Sequence, residues 1–424
     1  MMPTCTAIAE LQQTQIDRVR ELLRRILPGN AFYARKFAGR DPEQLQTIDD
    51  FTQLPFTTKS ELADDQLAHP PYGSALSFSL DRYCRLHQTS GTSTGRPLRW
   101  LDTPESWEWL LQCWSHSFSL MGLTKQDILF FPFSFGPFLG FWSAFEAATR
   151  SGFLCLPGGG MSSTARLRFL LEHRCTVVFS TPTYALHLAE IAATDGIDLA
   201  ASPVRAVVVA GEPGGSIPGT RTRIESAWGA RVFDHYGMTE IGPVAIEAAE
   251  TPGQLYLLES EYIVEVLIPG QNAAAAPGEY GELVLTNPGR VGSPLIRYRT
   301  GDVVRLATTP DPAGRKWQRL DGGIRGRVDD MIHVRGNNLY PSAIEAIIRR
   351  FPEVAEYRII VDHSGSLADM RIEIEPVSSL QNSVADAVSR AIRDELLFRV
   401  AVVPVPPRSL PRFEMKAKRL VHQT

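Results

Sequence analysis

Small hydroxylated residues set between glycines can hold an anion, and Thr89-Ser-Gly-Thr-Ser-Thr-Gly-Arg-Pro97 is such a stretch. Glycine permits positive φ, so that successive N–H groups turn inward, and the hydroxyls of Ser90, Thr92, Ser93 and Thr94 add donors for a phosphate oxygen. Gly91 and Gly95 are followed by Arg96-Pro97 instead of Lys-Ser/Thr, so the Walker strand–loop–helix reading loses its key residues. A plain surface turn is the alternative. Further on, Phe233-Asp-His-Tyr-Gly-Met-Thr-Glu240 is expected to follow a strand and brings a ring, a glycine, a hydroxyl and a carboxylate together. An adenine would stack on Tyr236, Thr239 would bond a phosphate, and Glu240 would hold Mg²⁺, which on a nucleotide takes one or two protein carboxylates. A surface turn with a lone acid is the rival. Tyr298-Arg-Thr-Gly-Asp302 puts a carboxylate after a tight turn, suited to a ribose diol or simply to a β-turn.

The elements that must position these residues read as α/β. Residues 7–27 carry apolar side chains at near-helical spacing and predict a packing helix. The uncharged window Ile128–Phe145 approaches a membrane span in length, but Pro132 and Gly136-Pro137 interrupt it, and an interrupted helix in lipid leaves backbone groups unsatisfied. A strand, a Gly-Pro turn and a helix explain it better. The aromatics there are either core or the lining of an apolar pocket around Phe135, Gly136, Pro137 and Phe138. From 152 to 210, short apolar runs alternate with helical ones, the rhythm of parallel strands covered by helices on both faces. Gly158–Gly160 and Ser180–Thr183 fall just past strand ends, where such sheets place ligands. From about 253 to 320 short alternating strands suggest a β subdomain, and beyond residue 329 a small α+β unit follows.

A chain of 424 residues, 44% hydrophobic and 21% charged, buries a large core and divides into more than one domain. Its 43 basic and 47 acidic side chains leave a net charge of -4, which gives no electrostatic reason to expect nucleic acid or an anionic membrane as partner. The five cysteines never form a Cys-x-x-Cys pair, so neither a disulfide framework nor a zinc knuckle is suggested. The first residues carry no apolar signal core, and a cytoplasmic location is expected.

Taken in order, Thr89–Pro97, Gly211-Glu-Pro213, Tyr236–Glu240, Tyr298–Asp302, Gly326–Gly336 and Lys416 resemble the adenylate-forming acyl-CoA synthetases. The phenylacetate–CoA ligase branch is the nearest match, through Leu54-Pro-Phe-Thr-Thr-Lys59, Pro294–Asp302 and Arg327–Gly336. The resemblance implies an adenylation domain over 1–328 with parallel α/β sheets and a β subdomain, and a small mobile α+β lid over 329–424 with its hinge near Asp329. It implies an acid–thiol ligase: a carboxylic acid, aryl or otherwise apolar, attacks ATP to give acyl-adenylate, and coenzyme A then displaces AMP. An anion attacking a polyanion meets repulsion, so Mg²⁺ on Glu240, donors from Ser90 to Gly95 and a cation are needed. By this resemblance the cation is Lys416, with Lys418 as rival because Met415 stands where the branch has glycine. Further roles follow by the same carry-over: Gly211, Glu212 and Pro213 on the adenine face, Asp234 on its amino group, Gly237 and Tyr184 beside the acid, Arg327 on ribose or phosphate, Gly336 by the pantetheine channel. The departures are a loop one residue longer than usual, with Arg96 for its lysine, and no cysteines or histidine in 246–256, so no zinc is expected. A homodimer is common in the branch. Alternatives are an enzyme that loads a free-standing carrier protein, and a nucleotide-binding protein without catalysis.

Overall fold

Hydroxyl side chains mark where helices begin. Thr47 and Thr58 each close a capping box, with Asp50 and Glu61 respectively, while Thr103 and Thr181 cap helices whose first residue is proline. Each satisfies an N–H that the first turn leaves without a partner. The computed structural model describes residues 8–89, 97–328, 332–334, 337–362, 369–377, 381–413 and 417–423, without the side chains of 333, 337, 338, 381 and 382. Ser90, Gly91, Thr92, Ser93, Thr94, Gly95, Asp329, Gly336 and Lys416 lie outside the described residues. By its internal contacts the chain divides into two units, Met1–Gly160 with His235–Asp321, and Met161–Asp234 with Gly322–Thr424.

In the first unit, helix Ile8–Ile26 buries Ile16, Val19, Leu22, Leu23 and Ile26, the stripe its spacing predicts. Strands Arg85–Gln88 and Arg99–Asp102 pair antiparallel and carry the 90–96 segment between them, a hairpin stem where a Walker loop would need strand and helix. The aromatic window forms strand Ile128–Phe131 and helix Trp142–Arg150, and among the described residues no helix is long and apolar enough to cross a membrane. Strand Leu154–Pro157 runs parallel to Ile128–Phe131, but it departs from the expectation of cover on both faces. Leu154 is 61% exposed. Apolar composition alone does not tell an edge strand from a central one.

Two motifs expected just past a strand or a tight turn lie in strands instead. Arg231–Met238 is one strand through most of the Tyr236 motif, because His235–Met238 pairs antiparallel with Gly242–Glu247, turning at Gly242 with φ +105°. Asp302 sits inside strand Tyr298–Arg305, which pairs with Tyr280–Thr286 across an irregularity. Gly301 there has φ +74°.

Beside this sheet, burial pushes the Glu259 carboxyl up to about 7, opposed only in part by the Gln318 N–H donating at 2.5 Å. The unfolded chain ionises this group near 4.5 and the folded one near 7, so folding stability falls as pH rises through that window and then levels. Glu259→Gln keeps the acceptor. Its gain over wild type in urea unfolding is expected to grow between pH 5 and pH 8 by up to about 3 kcal/mol. An equal difference at both pH values would contradict this.

In the second unit, Val177–Ser180, Ala206–Val209 and the start of Arg231–Met238 pair parallel and are almost wholly buried. Helices Pro182–Thr194 and Pro218–Trp228 provide the crossovers between them, as the alternating rhythm predicts. Near the C-terminus, Val354–Asp362 and Asp369–Pro376 form an antiparallel pair flanked by parallel Leu420–Gln423 and Ala401–Pro404. Helices Pro341–Ile348 and Gln381–Leu396 cover it, with Ile344, Ile348, Val388 and Ile392 in the core.

Candidate active site

Strand Arg231–Met238 aims Tyr236 at Asp302, and the Tyr236 hydroxyl donates to Asp302 Oδ2 at 2.6 Å. Both residues are buried. Asp302 is held from its own backbone as well: its N–H donates to Thr300 Oγ1, whose hydroxyl donates to the Leu283 carbonyl at 2.7 Å. Two predicted motifs are thereby tied together at fixed geometry, one presenting a ring and the other a carboxylate.

Past the strand, Thr239 and Glu240 form the turn to Gly242, and Glu240 is only 5% exposed. Its Oε1 stands 3.2 Å from the Lys59 ammonium. Lys59 opens helix Lys59–Ala68, and the residue two before it, Thr57, is fixed beside strand Tyr298–Arg305 by exchanging backbone hydrogen bonds with Arg297 and Arg299. A second cation, Arg290, is wholly buried with Asp102 and makes a two-bond pair with it, 2.6 Å on each oxygen. Burial alone would raise the Asp102 carboxyl, but the Arg290 charge and the bonds it receives hold it below the usual carboxylate range. The third Arg290 nitrogen donates to the carbonyls of Thr239 at 2.7 Å and Glu240 at 3.0 Å.

A hard carboxylate oxygen at Glu240, one residue after Thr239 in the chain, fits a metal that arrives on nucleotide phosphates, which needs little from the protein. Among the described residues there is no group of three or more His, Cys, Asp or Glu placed to hold a metal alone. Below the hairpin, Thr89 and Leu98 bond each other through Thr89 N–H to the Leu98 carbonyl and Leu98 N–H to Thr89 Oγ1, both at 2.9 Å. Gln88 N–H reaches the Pro137 carbonyl at 2.7 Å, so the aromatic turn Phe135–Phe138 is fastened to the stem. Phe135 packs on Trp142 with ring centroids 4.5 Å apart, and Trp142 donates to the Gly136 carbonyl. His235 stacks on Trp114 at 4.2 Å, and burial drives its imidazole down to about 3, which keeps it neutral.

The remaining predicted residues belong to the second unit. Gly211 has φ +91°, and a side chain on Gly215 would collide with Asp234, whose Oδ2 accepts from Ser216 at 2.5 Å. Glu212 accepts from Thr183 N–H at 2.8 Å and from Ala417 N–H at 2.7 Å. Burial lifts its carboxyl against the pull of Arg419 and these bonds. Arg419 in turn donates to Thr183 Oγ1 and to both oxygens of Glu356. Glu212 thus holds the chain next to Lys416 as well as its own loop. Tyr184 is 1% exposed, with its hydroxyl on Ser163 and Arg166. Arg327 ends the short strand Gly326–Arg327 and is half-buried.

Residues 40–292 match the family described as AMP-binding enzyme, and residues 336–424 match AMP-binding enzyme C-terminal domain. The chain belongs to the AMP-binding enzyme family. It is 30% identical to a phenylacetate-coenzyme A ligase of Escherichia coli, over 98% of this chain and 95% of that one. It is 28% identical to the phenylacetate-coenzyme A ligase of Thermus thermophilus, over 96% and 94%. Among solved structures, 2-hydroxyisobutyryl-CoA ligase in the postadenylation state with 2-HIB-AMP superposes with a TM-score of 0.92 at 27% identity, covering 98% of this chain and 90% of that one. The same ligase in the thioesterification state, with 2-HIB-AMP and CoA, gives 0.74 at 28% identity over 99% and 91%.

For an AMP-binding enzyme, two residues of this site escaped the sequence reading. Lys59 closes a motif singled out for resemblance alone, and its charge beside Thr-Thr was the available signal. Arg290 gave none: in Asn-Pro-Gly-Arg-Val-Gly it reads as a basic residue in a surface turn.

Proposed function

We propose that this AMP-binding enzyme is an AMP-forming acid–thiol ligase that activates an aryl or other apolar carboxylic acid and passes the acyl group to coenzyme A. The observation that carries the reading is the Tyr236–Asp302 hydrogen bond, which joins a ring suited to stack on adenine to a carboxylate suited to ribose, on the strand that leads to Glu240. The likeness to phenylacetate–CoA ligases over nearly the whole chain supports the acid class, as does the aromatic turn Phe135–Phe138.

In the first step a carboxylate oxygen of the acid bonds to the α-phosphorus of ATP and the bond to pyrophosphate breaks. By the resemblance, Asp302 grips the ribose and Tyr236 stacks on the adenine, and the roles carried over to Gly211–Pro213 and Asp234 are the adenine face and the adenine amino group. Ser90–Gly95 and Thr239 donate to the phosphates, and Lys59 adds a positive charge next to Glu240. Glu240 would hold Mg²⁺ brought in on the nucleotide, and the ion would supply charge neutralisation to the transferring phosphoryl group. Lys416 brings a further cation to the α-phosphoryl group. In the second step the coenzyme A thiol gives up its proton to solvent, its sulfur bonds to the acyl carbon, and the acyl–oxygen bond breaks so that AMP leaves with the bonding electrons. By the resemblance, the lid over 329–424 turns with its hinge near Asp329 between the two steps. Gly336 then leaves room for pantetheine.

A panel of carboxylic acids tests this. Acid-dependent ATP–pyrophosphate exchange without coenzyme A is expected, strongest for aryl acids, with thioester and AMP formed when coenzyme A is added. No exchange with any acid would remove the ligase reading, and exchange with a thioester formed only on a carrier protein would change the acceptor.

A further inference from the structure

The Arg290–Asp102 pair carries more than packing. Its two side chains have no solvent exposure, and burying two charges is expensive unless every bond is used. Arg290 uses them on two different partners. Nε and one terminal nitrogen take both oxygens of Asp102, and the other terminal nitrogen takes the Thr239 and Glu240 carbonyls. Asn287, three residues earlier, directs its Nδ2 to the next carbonyl, Ile241, at 3.4 Å. Three consecutive carbonyls of the Glu240 turn therefore face donors from one short segment.

That segment is itself immobilised. A side chain on Gly289 would fall 2.2 Å from Trp109, Gly292 N–H donates to Ser106 Oγ at 2.9 Å, and Ser293 donates to the Leu101 carbonyl at 2.6 Å. Asp102 ends the strand that returns from the hairpin carrying residues 90–96. The chain of contacts thus runs from the hairpin stem through Asp102 and Arg290 to the backbone of Glu240, while the Glu240 side chain is left to Lys59.

We propose that Arg290, braced by Asp102, is a positioning residue for Glu240: it pins the turn by its carbonyls, so that the carboxylate is presented to the nucleotide-borne metal at a set place. The inference rests on the reading that Glu240 holds this metal. An apolar pair would fill the same space but would leave the carbonyls of Thr239 and Glu240 without their donor. Stability and metal affinity should therefore separate.

The test uses wild type, Arg290→Met, Arg290→Lys, the double variant Asp102→Leu/Arg290→Met, and Glu240→Gln. Urea unfolding reads the fold. Mn²⁺ binding in the presence of α,β-methylene-ATP, followed by electron paramagnetic resonance, reads the metal without turnover. The double variant is expected to unfold close to wild type yet bind Mn²⁺ about 10- to 100-fold more weakly, the usual loss when a group supporting a metal ligand is removed. Arg290→Lys is expected to recover part of that affinity, because an ammonium still donates to the carbonyls. A double variant that folds like wild type and binds Mn²⁺ as tightly would overturn the positioning role. Should the double variant not fold, Arg290→Lys decides alone: Mn²⁺ affinity equal to wild type overturns the role, and a loss smaller than that of Glu240→Gln supports it. Glu240→Gln with wild-type Mn²⁺ affinity would instead remove the metal reading of Glu240, and the inference with it.

Discussion

Alanine at Lys416 is expected to lower acid-dependent ATP–pyrophosphate exchange on the order of 10³-fold, the scale of a cation brought to a phosphoryl group in transfer. Thioester formation from supplied acyl-adenylate should survive, because the charge at the α-phosphorus matters only while that bond is made or broken. On either side of residues 414–416 the tail is anchored within one unit: Arg412 pairs with Glu375 at 2.6 Å and Glu190 at 3.3 Å, and Ala417 N–H is held by Glu212. Lys418 is exposed, so Lys418→Ala should leave exchange within a few-fold of wild type. Equal loss of both half-reactions in Lys416→Ala would remove the argument that the lid changes position between them. A large loss in Lys418→Ala would move the role two residues along.

Glu240→Ala should reduce turnover in the adenylation step by about 10²–10³, the range found when one group aimed at developing charge is removed. The carboxylate is almost fully buried, with the Lys59 ammonium 3.2 Å from its Oε1. If Glu240 holds the nucleotide's metal as proposed, deleting it would take that contact away and leave Lys59 to repel the incoming cation. The concentration of Mg²⁺ for half-maximal exchange should therefore rise along with the fall in turnover. Turnover within threefold of wild type at unchanged Mg²⁺ demand would mean that the carboxylate serves the turn alone.

The rhythm of this chain was legible before any coordinates. The amphipathic helix at 8–26, the Gly-Pro break in the aromatic window, the alternation from 152 to 210 and the α+β unit near the C-terminus all follow local pattern, because burial of one face is written at spacings of 3.6 or 2. Motif order did the same for the family, since Tyr236, Glu240 and Asp302 keep their chemistry in short contiguous stretches. The departures are also local in origin. The Tyr236 motif is expected to begin past a strand and Asp302 to follow a tight turn, yet both residues occupy strands, because partner strands supply the hydrogen bonds that composition does not announce.

By itself, then, the sequence determined the alternation of helix and strand over much of the chain and the family to which the chain belongs, and it pointed to short stretches suited to phosphate, ribose and metal chemistry. Only the tertiary structure decided who meets whom: that Tyr236 bonds Asp302 from 66 residues away, that Lys59 faces Glu240, and that Arg290 reaches back 188 residues to Asp102. Periodicity reports the burial of a face, whereas a contact between distant residues depends on strand register and on the closure of long loops, and neither leaves a mark on the residues between.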